Sequence, residues 1–154
     1  MAKKPKLGEQ APDFELVGTE GRFRLSEQQG KRVVLLFYPG DNTPVCTKQF
    51  CSYRDSGEDV SGLDAVVVGI SSQSVDSHQQ FTAKHGLNVP LLADEDGAVA
   101  KSYGAYAPMA GTRRAVVIVD EDGVMRYRHD HTLGLDFQSA DDLRDALATL
   151  PARA

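Results

Sequence analysis

The stretch Val33-Val34-Leu35-Leu36-Phe37-Tyr38-Pro39-Gly40-Asp41-Asn42-Thr43-Pro44-Val45-Cys46 decides how this chain folds. Its first half, with Arg32 as lead-in, has the continuous apolar character of a central strand buried on both faces. Proline and glycine then break the strand. Thr43 is a good helix N-cap, and Pro44 fits the first helical position. A helix is therefore expected from there to about residue 60. Cys46 falls in its first turn, where unpaired N–H groups and the positive end of the helix dipole favour thiolate over thiol. Thr43 lies three residues earlier. Its hydroxyl either merely caps the helix or also orients a ligand beside the sulfur.

Cys51 is the second and last cysteine of the chain. At 100° per residue, Phe50, Tyr53, Gly57 and Val60 share a stripe with Cys46, the face turned to the core. Cys51 sits roughly 140° away, among Lys48, Arg54, Asp55 and Glu58. On an ideal helix the two Cα atoms stand roughly 8–9 Å apart. A disulfide needs about 4.4–6.8 Å. The pair can join only if the helix locally unwinds. The loop they would close is too short to staple a fold, so the arrangement reads as redox chemistry rather than scaffold.

Outward from this stretch, strands alternate with helices. Residues 14–17 and 22–25 read as two short strands around a Gly18…Gly21 turn. Ser26 is placed to cap a single turn before Gly30. Residues 65–70 form a second buried strand, 75–85 a helix ended by Gly86, and 90–92 a short strand. A helical turn or two follows at 98–103, then a third buried strand at 115–119. Asp120-Glu121-Asp122-Gly123 makes a hairpin turn into 124–129. Ser139 caps a last helix over 140–150, with Leu143 and Leu147 on one face and Ala146 and Leu150 beside them. The pattern implies an α/β layer structure with a central mixed sheet flanked by helices and an N-terminal β-hairpin. No repeat or linker interrupts it, and residues 1–154 are expected to form one domain.

The net charge of -5, from 17 basic and 22 acidic residues, offers no basic field for nucleic acid. The Lys3-Lys4-Pro5-Lys6 cluster reads as a solvated tail. No apolar run approaches the roughly 20 residues of a membrane helix, and the N-terminus lacks a signal-peptide core. A cytoplasmic protein, bound to neither membrane nor nucleic acid, is expected.

These residues resemble a known family. Pro39-x-x-x-Thr43-x-x-Cys46 matches the peroxiredoxin active-site signature in full. The lead-in Ala11-Pro12-Asp13-Phe14, the strand before the motif, and Arg114 six residues ahead of Asp120 resemble that family too. A second cysteine five residues after the first is similar to the bacterioferritin-comigratory, or peroxiredoxin Q, subfamily with two cysteines in one chain. The resemblance covers nearly the whole chain. It implies a thioredoxin-like fold and thiol-dependent reduction of hydrogen peroxide and organic hydroperoxides. Cys46 would be the peroxidatic cysteine and Cys51 the resolving one, joined in an intramolecular disulfide that thioredoxin or a similar dithiol reduces. Thr43, Arg114 and a shielding Pro39 would complete the site. Neither a cofactor nor a metal is implied, and a monomer, at most a weak dimer, is expected. Arg113 adjoins Arg114, but spacing to the following strand selects Arg114, and strand alternation sends Arg113 the other way.

Chemistry supports those roles. Peroxide cleavage needs a thiolate nucleophile and stabilisation of charge on the leaving oxygen. A guanidinium supplies fixed charge and several donors. Attack yields a sulfenic acid, which condenses with a nearby thiol. Two rival readings share the fold: a general dithiol–disulfide oxidoreductase, disfavoured by the lack of Cys-x-x-Cys, and a non-enzymatic redox sensor or holdase. Gln49, one turn after Cys46, is either a site residue or a surface glutamine. Tyr38 reads as packing, with its hydroxyl near the pocket, and Arg54-Asp55 as a local salt bridge. His129 and His131 share a strand face but lack a third metal ligand. His78 and His85 sit on a polar helix and are expected to be solvated.

Overall fold

The computed structural model describes residues 5–41, 44–55, 65–107, 111–130 and 140–150. Its strands are β1 (Glu15–Gly18), β2 (Gly21–Arg24), β3 (Val33–Phe37), β4 (Val66–Ser71), β5 (Leu91–Ala93), β6 (Tyr106–Ala107), β7 (Gly111–Thr112), β8 (Ala115–Val119) and β9 (Met125–Asp130). Its helices are α1 (Pro44–Asp55), α2 (Val75–His85), α3 (Ala98–Ser102) and α4 (Ala140–Ala148).

Seven strands form one sheet in the order β2-β1-β5-β4-β3-β8-β9. The pairs β3·β4 and β4·β5 are parallel, and the rest are antiparallel. The sheet is therefore mixed and carries an N-terminal hairpin, both as expected; the hairpin lies on the sheet's edge. β3 is an interior strand, and all five of its residues are buried. Their alternation divides the core in two. Val34, Leu36 and Tyr38 face α1, α2 and α4, meeting Phe50, Tyr53, Phe81, Leu143, Ala146 and Leu147. Val33, Leu35 and Phe37 face the other layer, with Phe14, Leu25, Val99 and Tyr103. The Ala11–Phe14 lead-in belongs to that second layer. Ala11 and Phe14 are buried there, and Pro12 offers its carbonyl to the Tyr103 hydroxyl at 2.6 Å.

Local chemistry sets the element ends. The Ser74 side chain accepts from the Ser77 N–H at the start of α2, and Gly86 closes that helix at φ 60°. Gly69 in β4 has a different task. A Cβ there would stand 2.8 Å from Leu91 Cδ2 and 3.0 Å from Phe50 Cζ, so the missing side chain lets α1 settle onto the sheet.

Three details differ from the sequence reading. Ser26 caps nothing: its N–H donates to the Asp13 carboxylate at 2.9 Å, and the 3-10 turn Leu25–Gln28 begins without a side-chain cap. The two-stranded ribbon β6·β7 was not anticipated, because two-residue strands carry no periodicity. The last strand starts at Met125, while Val124 bridges to Gln10 and the β8·β9 register shifts near Val119. The expected extension of the first helix to residue 60, the Ser139 cap, Thr43 and His131 lie outside the described residues.

Candidate active site

The site forms where the C-terminal end of β3 meets the start of α1. Cys46, in the first turn of α1, has no exposed surface and belongs to the same buried cluster as Tyr38, Phe50 and Tyr53. Across the sheet, β3 pairs with β8 so that Phe37 opposes Ala115. Continuing that register sets Arg114 opposite Tyr38. Alternation then turns Arg114 to the side of Val116 and Ile118, the α1 side, and it is 2% exposed. Arg113, by contrast, is exposed, and its backbone N–H donates to the Ala105 carbonyl. Spacing and strand parity thus select the arginine that reaches the sulfur.

The guanidinium is held on two sides. Its Nη2 donates to Cys46 Sγ at 2.9 Å. Its Nη1 donates to Gln49 Oε1, and Gln49 Nε2 donates in turn to the Tyr53 hydroxyl at 3.0 Å. Gln49 is fully buried, so of its two sequence readings the surface one is set aside. Burial pushes the Tyr53 phenol well up, so its hydroxyl keeps its proton while it accepts from Gln49. Arg114 Nε is buried without a protein partner among the described residues. An arginine with two arms tied and a third donor open can act on a sulfur and on an oxygen beside it at once.

Cys51 is partly exposed and, like Cys46, a free thiol. Both lie within the continuous helix α1, whose geometry keeps their Cα atoms roughly 8–9 Å apart. Pro39 is exposed just past β3. The Arg54 and Asp55 side chains lie outside what is described. No cluster of three or more metal-ligating side chains occurs among the described residues, and no helix among them is long and apolar enough to cross a membrane.

A second polar cluster lies beside the thiol, and the sequence reading missed it. His78 is fully buried rather than solvated. Its Nδ1 is 2.6 Å from Asp41 Oδ2, and its Nε2 is 2.9 Å from the Leu92 carbonyl. Tyr38 donates to Asp41 Oδ1 at 2.7 Å, and Ser77 Oγ donates to Asp41 Oδ2 at 2.8 Å. One signal was available: His78 and Phe81 are three apart on α2, and Phe81 is a core residue.

A buried cysteine at a helix start, under an arginine from a neighbouring strand of a mixed sheet, points to thiol redox chemistry on a thioredoxin-like fold. The family comparison names that class. Residues 7–128 match the AhpC/TSA family, and the chain belongs to it as a peroxiredoxin. It is 37% identical over 126 residues to the peroxiredoxin Bcp of Bacillus subtilis (strain 168), covering 77% of this chain and 80% of that protein. It is 43% identical over 126 residues to the chloroplastic peroxiredoxin Q of Sedum lineare, covering 80% and 68% respectively. The crystal structure of the peroxidoxin BcpB from Mycobacterium tuberculosis superposes with a TM-score of 0.79 at 32% identity, over 94% of this chain and 95% of that one. Within the family, then, the chain stands with the Bcp and peroxiredoxin Q group.

Proposed function

We propose that this chain reduces hydroperoxides at the Cys46 thiolate and regenerates itself through a disulfide with Cys51. The thiolate attacks the near oxygen of the peroxide. The O–O bond breaks, the distal oxygen leaves as water or alcohol after taking up a proton, and Cys46 becomes a sulfenic acid. The Cys51 thiol then displaces hydroxide from that sulfur, giving a disulfide and water. An external dithiol of the thioredoxin type reduces the disulfide and restores both thiols.

The observation that carries this reading is the 2.9 Å contact from Arg114 Nη2 to the Cys46 sulfur at the first turn of α1. In the proposed mechanism Arg114 steadies the thiolate and then the charge growing on the leaving oxygen. Gln49 holds Arg114 in place. Thr43 would hydrogen-bond the peroxide, and Pro39 would screen the thiol, as the family signature implies. Disulfide formation requires the start of α1 to open, because an intact helix keeps the two sulfurs apart. The chain is read as a monomer built as one domain. A reducing compartment such as the cytoplasm would supply the dithiol.

Peroxide-dependent NADPH consumption with thioredoxin and its reductase tests the reading. Turnover is expected in the wild type and none in Cys46→Ser. Turnover that survives Cys46→Ser would overturn it.

A further inference from the structure

The buried cluster around Asp41 is not accounted for by the peroxide chemistry, yet it adjoins the cysteine. Asp41 lies three residues before Pro44, where α1 begins. Its carboxylate is met by three side chains, Tyr38, Ser77 and His78. Its own N–H donates to Gln73 Oε1. The Asp41 and His78 side chains have no exposed surface. Both ring nitrogens of His78 lie within hydrogen-bond distance of oxygens, Nδ1 of Asp41 Oδ2 and Nε2 of the Leu92 carbonyl. The cluster therefore contains a fully buried carboxylate–imidazole pair. A buried carboxylate of this kind is far more costly to leave without its partners than to keep with them.

The cluster ties several elements together through polar contacts. His78 anchors it to α2 and, through the Leu92 carbonyl, to β5. Tyr38 anchors it to the end of β3. The Tyr38 ring also packs edge-on against Phe50, with centroids 4.7 Å apart, one helical turn beyond Cys46. Burial and then the Asp41 charge hold the Tyr38 phenol firmly protonated, so it stays a donor. The helix that carries Cys46 is thus gripped at two points, at its lead-in by Asp41 and on its inner face by Tyr38 through Phe50.

We propose that Asp41 and His78 are positioning residues that latch the start of α1 in its peroxide-reactive form and so set how readily it opens for disulfide formation. This rests on the reading of Cys46 and Cys51 given above. Two fates compete for the Cys46 sulfenic acid. In one, the helix opens and Cys51 condenses with it, forming the S–S bond and releasing water. In the other, the helix stays closed and a second hydroperoxide transfers an oxygen to the sulfur, leaving a sulfinic acid and an alcohol or water. A strong latch favours the second fate and a weak latch the first.

The test treats reduced wild type, Asp41→Asn and Ser77→Ala with a graded excess of hydrogen peroxide. Mass spectrometry then gives the ratio of sulfinic acid to Cys46–Cys51 disulfide. The ratio is expected to fall about tenfold in Asp41→Asn, the scale of losing one charge-assisted hydrogen bond, and by about twofold to threefold in Ser77→Ala. The second-order rate of the first oxidation is expected to fall in the same order. A merely structural role would lower the melting temperature and leave the ratio where it was, and that result would overturn the latch. So would a ratio that rises. Ser77→Ala removes only one hydroxyl from a part-buried position, so it decides the matter should Asp41→Asn fail to fold. A wild type that forms no Cys46–Cys51 disulfide at all would instead overturn the underlying reading. The two failures are therefore distinct.

Discussion

Arg114 and Cys46 are 68 residues apart in sequence, yet the arginine Nη2 lies 2.9 Å from the cysteine sulfur, and both are buried. Two independent rules bring them together. A helix start places the sulfur at the end of β3, and antiparallel pairing of β8 with β3 carries the guanidinium over it. Arg114→Ala should slow the first oxidation of Cys46 by about 10²–10³-fold, the usual scale for losing a preorganised donor to developing charge. Arg113→Ala should have little effect. Stopped-flow competition for hydrogen peroxide measures both, and equal losses would mean that contact geometry does not decide the rate.

Gln49 supplies the acceptor for Arg114 Nη1 and passes a hydrogen bond on to Tyr53. Gln49→Leu should leave a buried guanidinium donor unsatisfied, cost about 1–3 kcal/mol of stability, and slow the oxidation step. Gln49→Glu keeps an acceptor for the arginine, and the Tyr53 hydroxyl can turn to donate to it. That variant should therefore retain more activity than Gln49→Leu in the same assay. The reverse order would separate Gln49 from the site.

Gly69 gives Phe50 its seat on β4. Gly69→Ala should push Phe50 and Leu91 aside and destabilise the fold by about 1–3 kcal/mol, as overpacked cores do. Urea unfolding of the variant checks this. An unchanged midpoint would show that α1 is not packed as tightly as the 3.0 Å approach implies.

Acid should expose the Asp41 cluster. Burial alone would raise this carboxyl, but hydrogen bonds from His78 and Tyr38, the His78 charge and the Ser77 hydroxyl hold it below its ordinary value. As pH falls, the unfolded chain therefore takes up this proton before the folded one. The stabilisation is complete above the ordinary aspartate value of about 3.9 and is lost as pH drops through the folded-state value. The stability gap between wild type and Asp41→Asn, followed by circular dichroism, should hold near neutrality and shrink below about pH 4. A gap that is constant across that window would contradict the assignment.

Much of this was legible in the sequence wherever the signal was local. The apolar run into Pro39 and Gly40 marked β3, Thr43-Pro44 marked a helix start, and two-residue alternation chose between Arg113 and Arg114. His78 was not legible, because it is buried by a partner 37 residues away that no local pattern reveals. The polar residues around it on α2 suggested a wet helix, yet the ring turns inward beside Phe81. Gln49 was ambiguous for the same reason: its burial follows from Arg114, which arrives from a distant strand. Local periodicity finds strands and helices. It does not find polar groups that are buried only because something across the sheet satisfies them.

Cys46 is expected to be oxidised by peroxide and then captured by Cys51 of the same chain. Trypsin cuts after Lys48, between the two cysteines, and releases residues 33–48 and 49–54 as separate peptides. After one equivalent of hydrogen peroxide, intact-mass analysis should show a monomeric chain that has lost two hydrogens, and a non-reducing digest should show the two peptides joined. The same treatment of Cys51→Ser should leave Cys46 as a sulfenic acid that a dimedone-type reagent traps. Separate, unjoined peptides from the oxidised wild type, or a disulfide found only between chains, would contradict the account.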